Sequence, residues 1–383
     1  MKKSNLLHVV GSIARTLLAL TFLFSGFVKA VDPLGTTYKI EDYLKAFGGF
    51  FTDLMPLAGA AAVCLIAIEF TLGFCMLFNV RTSWTSWISL AFYVVMLPLT
   101  LYIAIANPVS DCGCFGDALV ISNWATFWKN VVLMALVIIL LCTKRYIPQT
   151  FVWGVELGIA VVGVAIVSGL MLYTHTHLPL LDFRPYKIGN NIPELMEIPD
   201  DAEPDQYATT FVYEKDGVQQ EFTLDNYPKG DSTWTFVDQK SVLVKKGYEP
   251  KIHDFEIITL NYDDITYDIL ESEVPVTLVI MYDLAKTDLK QIDRVTALYH
   301  RCLNRNEPFY ILTGSGEQDI ELFCFGINGD EISNMVTPFN HPEDIFCTCD
   351  PVTLKTIVRA NPGVIVIQNG TIIDKYNLRN RIE

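Results

Sequence analysis

Positive charge is what this 383-residue sequence lacks most: 28 Lys and Arg stand against 43 Asp and Glu, for a formal net charge of −15. The deficit is uneven. Residues 1–173 carry 10 basic and 8 acidic side chains, whereas residues 174–383 carry 18 and 35. With nothing basic available to neutralise phosphates, nucleic acid is excluded as a partner class. Lys and Arg are also missing from the whole stretch 107–128. The leading segment has no convincing small-residue cleavage site, is too long for a secretion signal and is interrupted by Arg15, so it reads as a retained span.

What is abundant is apolar. Hydrophobic residues make up 51% of the chain, and they concentrate in its first half. Five runs, Leu6–Ala30, Leu54–Val80, Trp84–Ala106, Trp124–Cys142 and Phe151–Tyr173, each approach the roughly 20 residues that cross a bilayer. Lys2 and Lys3, Arg81, and Lys144 with Arg145 fall at alternate span ends, which the positive-inside rule makes cytoplasmic. Lys29, Lys39 and Lys45 in the first outer loop run against the rule, although Asp32, Glu41, Asp42 and Asp53 accompany them. This orientation puts the N-terminus in the cytoplasm and sends the 107–128 loop and the acidic second half to the opposite face, where disulfides persist. The expectation is a multi-pass protein of a bacterial inner membrane, with the lipid bilayer as its first partner and a periplasmic C-terminal region.

The loop holds Asp111-Cys112-Gly113-Cys114-Phe115-Gly116-Asp117. A disulfide between residues two apart closes a very small ring, for which glycine supplies the backbone angles. Its strain raises the reduction potential, suiting Cys112 and Cys114 to exchange rather than to stapling. Two other readings stay open. One is an inert thiol pair. The other is a metal centre in which His175 and His177 join the two cysteines as zinc ligands. Asp111, Asp117 and Lys129 are candidates for tuning the thiols, Lys129 by lowering a thiol pKa; its bland role is to snorkel to the interface. Arg15 and Glu69 are charges inside spans and are expected to pair, either to hold two helices together or to serve a quinone or a proton path. Glu156 reads as interfacial, and Cys64, Cys75 and Cys142 as small hydrophobes.

These residues resemble a known family. Arg15-Thr16-Leu17-Leu18, Phe24-Ser25-Gly26, Lys29 and Asp32-Pro33 are similar to the first span of DoxX-like and MauE-like membrane proteins. Glu69 with Gly73 resembles their second span, and Cys112-Gly113-Cys114-Phe115-Gly116 with Trp128-Lys129-Asn130 resembles the MauE loop and the helix after it. The resemblance, over about residues 8–145, implies a four-helix membrane domain associated with periplasmic redox work. In MauE that work is maturation of methylamine dehydrogenase, whose small subunit is rich in disulfides; in DoxX it is sulfur or quinol-linked oxidation. The fifth span and the large C-terminal region depart from both.

Prolines 179, 185, 193, 199 and 204 make Leu178–Pro204 a linker over the membrane surface. Tyr207–Tyr213 and Val218–Leu224 alternate around Asp216-Gly217, which predicts a hairpin. Asp254–Leu260 and Ile265–Leu270 read as a second strand pair. Segments 275–282, 307–313, 363–368 and 371–376 are strand-like, and 287–304 and 351–360 helix-like. This order resembles the thioredoxin fold of TlpA-like and peroxiredoxin-like domains, which implies a cis-proline at Pro362. Where that family carries Cys-x-x-Cys, this chain reads Tyr282-Asp-Leu-Ala-Lys-Thr287 and has no thiol. A second Cys-x-Cys, Cys347 and Cys349, precedes a helix whose N-terminus favours thiolates, which makes it a secondary redox candidate. Cys302 and Cys324 read as packed.

The sequence thus predicts a multi-domain membrane protein. A DoxX/MauE-like α-helical bundle occupies 1–145, a fifth transmembrane helix 146–177, a linker and β-rich segment 178–250, and an α/β thioredoxin-like domain 251–383. The expected function is thiol/disulfide exchange or protein maturation through Cys112 and Cys114, with the tail recognising a periplasmic client or thiol partner and quinone as the candidate cofactor. The alternative is a non-catalytic assembly factor or scaffold. A few buried charges are all that speak for transport.

Overall fold

The computed structural model describes residues 2–380 apart from 110, 205, 216, 225, 232, 246 and 326–343. Its first half is helical: α1 (Lys2–Val31), α2 (Pro33–Phe47), α3 (Ala58–Leu77), α4 (Thr82–Ala106), α5 (Asn123–Thr143) and α6 (Trp153–Thr176), with a 3-10 segment Gly49–Leu57 leading into α3. Among the described residues, five helical stretches are long and apolar enough to cross a membrane: Ser4–Val31, Gly49–Leu77, Thr82–Ala106, Asn123–Tyr146 and Trp153–Thr174. Five tryptophans, Trp84, Trp87, Trp124, Trp128 and Trp153, lie exposed near the ends of these helices. Amphipathic rings at that height are what a bilayer interface favours.

Helices α1 and α3 run antiparallel in contact, and two glycines fix their register. A Cβ on Gly26 would stand 2.5 Å from the Phe70 backbone nitrogen, and one on Gly73 would stand 2.5 Å from that of Leu23. Small residues let helix backbones approach where lipid leaves packing as the main attraction. Leu18, Phe22, Met76, Tyr93, Leu133, Val137 and Leu140 fill the space among α1, α3, α4 and α5. At the end bearing Arg81, that residue pairs with Glu156 at 2.8 Å, and Glu156 is buried rather than interfacial.

Helix α2 does not cross. It is capped by Asp32, whose Oδ1 accepts from the Gly35 nitrogen at 3.0 Å, and Pro33 sits in its first turn, where a missing N–H costs nothing. Its 15 residues form a shelf at the bundle end that carries the thiol loop.

The second half is sheet-rich. β1 (Gln206–Lys215), β2 (Val218–Thr223) and β3 (Thr235–Lys245) form an antiparallel sheet in the order β2-β1-β3. Lys215 faces Val218 across the hairpin, although Asp216 of its turn lies outside the described residues. A larger sheet, in the order β4-β7-β6-β5-β8-β9, comprises β4 (Ile258–Thr259), β5 (Val276–Ile280), β6 (Phe309–Thr313), β7 (Phe346–Thr348), β8 (Gly363–Gln368) and β9 (Thr371–Asn377). β5 is parallel to β6 and antiparallel to β8. The helices of this half are α7 (Ile192–Met196), α8 (Thr266–Leu270), α9 (Ile292–Arg305), α10 (Glu317–Phe325) and α11 (Pro351–Ile357).

Every residue of β5 is buried because both sheet faces are covered. Leu278 and Ile280 meet Leu354 and Ile357 of α11 on one face, and Val279 meets Ile292, Val295 and Leu298 of α9 on the other. Asn369 and Gly370 take left-handed angles at the β8–β9 turn.

Three expectations change. Ile265–Leu270 is not a strand but the cap residue and body of helix α8 (Thr266–Leu270), because the Asp264 carboxylate accepts from the Thr266 nitrogen at 2.9 Å and starts a turn, and Asp254–Leu260 contributes only the two residues of β4. The Leu178–Pro204 stretch sends Tyr186 and Ile192 into the large core, so it is packed rather than slack. Asp182 in this stretch binds both Arg184, at 2.8 Å, and Lys375 of β9, at 2.6 Å.

Candidate functional site

The loop after α4 folds back over α2. Gly113 and Gly116 adopt φ of +65° and +51°, angles that cost a side chain about 1–2 kcal/mol. Asp111 accepts from the Gly113 nitrogen at 2.7 Å and pairs with Lys39 of α2 at 2.8 Å. The Tyr43 hydroxyl donates to the Cys112 carbonyl at 2.7 Å. Phe115 is buried against Phe24, with the Lys129 ammonium 4.3 Å from its ring centre. Held this way, the Cys112 and Cys114 sulfurs lie 3.0 Å apart as free thiols.

One thiol hydrogen-bonds to the other, and that contact sets their acidity. The Cys112 hydrogen bond lowers Cys114 below the ordinary thiol range, with Lys129 and Lys29 adding to it against desolvation. Cys112 is raised by the same contact and by burial. Cys114 is therefore the sulfur that carries negative charge most readily.

Beneath the loop lies a second cluster. Ser25 Oγ is 2.7 Å from the Cys114 carbonyl and 2.7 Å from Glu69 Oε2, and Lys29 Nζ reaches both carboxylate oxygens of Glu69 at 2.8 Å. Glu69 and Lys29 are both buried. The expected partnership of Arg15 with Glu69 is thereby corrected. In the α1–α3 register Glu69 stands opposite the Ser25–Lys29 turn, and Arg15 lies about 20 Å further along α1 at 1.5 Å per residue. Arg15 Nε and Nη1 are buried with no hydrogen-bond partner.

Above the loop, the C-terminal half closes the site. Arg359, just after α11, binds Asp32 at 2.9 Å and reaches Asp117 at 3.5 Å. Its guanidinium and the Lys355 ammonium both lie over the Tyr38 ring. Tyr38 and Tyr282 meet hydroxyl to hydroxyl at 3.3 Å. The segment Tyr282–Thr287 is braced by Asn361, which donates to the Asp283 carbonyl at 2.7 Å and accepts from Thr287 at 3.1 Å, and the Asn361–Pro362 peptide is cis. The Tyr282 segment, without thiols of its own, thus presses on the membrane half beside the cysteine loop. A cavity of about 400 Å³ runs from this contact past Cys112 and Cys114 to Glu69 and Tyr93.

Residues 7–143 match the family model of methylamine utilisation protein MauE. Residues 207–246 match a domain of unknown function (DUF8463), and that stretch coincides with the β2-β1-β3 sheet. No curated protein and no solved structure matches the chain. The MauE-like region therefore contains the thiol loop, Lys129 and the Ser25–Lys29–Glu69 cluster, while α6 and the sheet-rich half lie beyond it.

The remaining candidates separate from this site. Cys347 and Cys349 sit in and just after β7 within the hydrophobic core, where burial pushes both thiols up to about 12. That is opposite in sign to the thiolate expected from the following helix, whose N-terminus is taken by the Asp350 carboxylate binding the Val352 and Thr353 nitrogens. His177 stacks on Tyr173 and shares Nδ1 with the Tyr173 carbonyl and Thr176, and the side chain of His175 lies outside the described residues. Among the described residues no group of three or more His, Cys, Asp and Glu is arranged to hold a metal ion. Asp111 and Asp117 face Lys39 and Arg359, which ties the loop to α2 and to the C-terminal half. Sequence reasoning gave Ser25 and Lys29 only as residues of the family resemblance, without their contact to Glu69, and passed over Tyr43 and Arg359. The Ser25-x-x-x-Lys29 spacing, which puts both on one helix face, was the available signal for the first two.

Proposed function

We propose that this protein is an envelope thiol–disulfide exchange factor of a bacterial inner membrane, with the Cys112–Cys114 loop and the sheet-rich half in the periplasm. The observation that carries the reading is the 3.0 Å approach of two free sulfurs inside a cavity, with Lys129 and Lys29 favouring negative charge on Cys114. In its oxidised form the loop accepts two electrons from a client dithiol. A client thiolate attacks Cys112, the Cys112–Cys114 bond breaks, and Cys114 leaves as the thiolate; the lower-pKa sulfur is the better leaving group. A second client thiolate then attacks the client sulfur of the mixed disulfide. This releases Cys112 and leaves a disulfide in the client. The sheet-rich half is read as thioredoxin-like: β5, α9, β6, α11, β8 and β9 follow the implied order around cis-Pro362, and the absence of thiols at Tyr282–Thr287 leaves it a recognition and capping role.

Trapping tests this reading. Alkylation of intact envelopes after a rapid acid quench should catch part of the Cys112–Cys114 population as the disulfide and part as the dithiol. A Cys112/Cys114 pair that alkylates as fully reduced under every growth condition would sink it. The MauE match favours a second reading, in which the membrane region acts as an assembly factor without thiol chemistry. Replacing both cysteines by serine separates the two, since an assembly factor keeps its function.

A further inference from the structure

Exchange with a client leaves Cys112 and Cys114 reduced, and a repeated cycle needs an acceptor for two electrons. The structure restricts the size of that acceptor. Both sulfurs line the cavity of about 400 Å³ beneath Arg359, which has room for a small molecule and not for a folded chain. The charges of the wall restrict it further. Four of its carboxylates are matched: Asp32 and Asp117 by Arg359, Asp111 by Lys39, and Glu69 by Lys29. Lys45, Lys355, Glu41 and Asp42 line the same cavity, and none of the four makes an ion pair among the described residues. The Lys355 ammonium has only rings beside it, 5.1 Å from the centre of Tyr38 and 6.0 Å from that of Tyr282. Glu41 acts on Lys286 from beyond ion-pair distance. Two cations and two anions left over around a pair of sulfurs match a ligand that carries ammonium and carboxylate groups on either side of its own sulfur–sulfur bond.

We propose that this cavity binds a small disulfide of amino acids, with cystine as the type, its carboxylates on Lys355 and Lys45 and its ammonium groups on Glu41 and Asp42. The inference rests on the thiol-exchange reading and adds its electron acceptor. The Cys114 thiolate attacks one sulfur of cystine, and a first cysteine thiolate leaves. Cys112 gives its proton to that thiolate and attacks the Cys114 sulfur. The second cysteine then leaves and takes from water a proton equal to the one Cys114 shed. One S–S bond breaks and one forms between Cys112 and Cys114, while two electrons and two protons end on two cysteines.

The test uses the full-length protein in lipid nanodiscs, reduced and freed of reductant under anaerobic conditions. It is mixed with cystine, with cystamine, which lacks the carboxylates, or with dithiodipropionate, which lacks the ammonium groups. Closure of Cys112–Cys114 is timed by acid quench and alkylation. The expected rate with cystine saturates with concentration and, below saturation, exceeds that of either analogue by about tenfold or more, the loss that follows when a hydrogen bond to a charged group is removed. Lys355→Met should lower the ratio of cystine to cystamine rates, and Glu41→Gln the ratio of cystine to dithiodipropionate rates, each by a similar factor. Both ratios are taken within one variant, so a change in folding or in thiol reactivity cancels. Equal rates for the three disulfides, or a ratio that either variant leaves in place, overturn the binding site, while closure by any of them leaves the exchange reading standing. Failure of all three to close the pair overturns the exchange reading and this inference with it.

Discussion

Lys29 and Glu69 form a buried ion pair whose removal, one partner at a time, has a calculable signature. Unit charges 2.8 Å apart attract by about 6 kcal/mol at an effective dielectric constant of ~20, and desolvation opposes much of that. Removing one member leaves the other buried without a counter-ion, which costs about 3–5 kcal/mol; removing both with neutral side chains of similar size comes close to neutral. Lys29→Met and Glu69→Gln should each destabilise the bundle by about 3–5 kcal/mol, and the double variant by far less than their sum. The assay is equilibrium unfolding in mixed detergent–SDS micelles, followed by tryptophan fluorescence and analysed as a double-mutant cycle. Single variants that each cost under ~1 kcal/mol, or a double variant equal to the sum of the singles, would refute the pairing. An Arg15→Met variant run alongside should show no coupling to Glu69.

Four further outcomes follow from the geometry. Cys114 should alkylate faster than an ordinary thiol at neutral pH, and Lys129→Met should move its pH profile upward, because a cation that favours the thiolate is gone; an unmoved profile counts against the assigned electrostatics. Cys347 and Cys349, with thiols pushed up to about 12, should resist alkylation at pH 8 until the protein is denatured, as read by mass spectrometry. Gly113→Ala should cost about 1–2 kcal/mol from its positive φ and slow disulfide closure in a timed alkylation assay. Desolvation and then Arg184 lower Lys375 to about 7, so between pH 7 and its ordinary value of 10.5 the unfolded chain holds one proton more than the folded one. Stability should rise with pH across that window, and Lys375→Met should flatten the rise in urea titrations.

Much of the membrane half was legible because bilayer thickness dictates run length and because tryptophan and charge mark the ends. The thiol loop was legible for the same reason: a polar heptad between two apolar runs has nowhere else to go. The strands β5, β6, β8 and β9 declared themselves through β-branched runs and the Asn369-Gly370 turn. What could not be read was pairing across the chain. Glu69 has candidate cations on α1 at Arg15 and Lys29, and only the close approach at Gly26 and Gly73 selects between them. Helix α2 is short and half polar, so it looked like loop. Cys349 illustrates a conflict of local and global terms, since its place before a helix favours a thiolate while its burial in the core forbids one.

The clamp of Arg359 on Asp32 spans 327 positions of sequence. At the ~5–20 residues per second of translation, about 16–65 s separate the making of its two halves. Cys114 precedes Arg359 by 245 positions, so for about 12–49 s of that interval the nascent chain carries its cysteine couple without a roof, open to any oxidant or stray thiol nearby. Maturation of this protein thus has a vulnerable period built into its architecture, one that ends only once synthesis has passed α11 and Arg359.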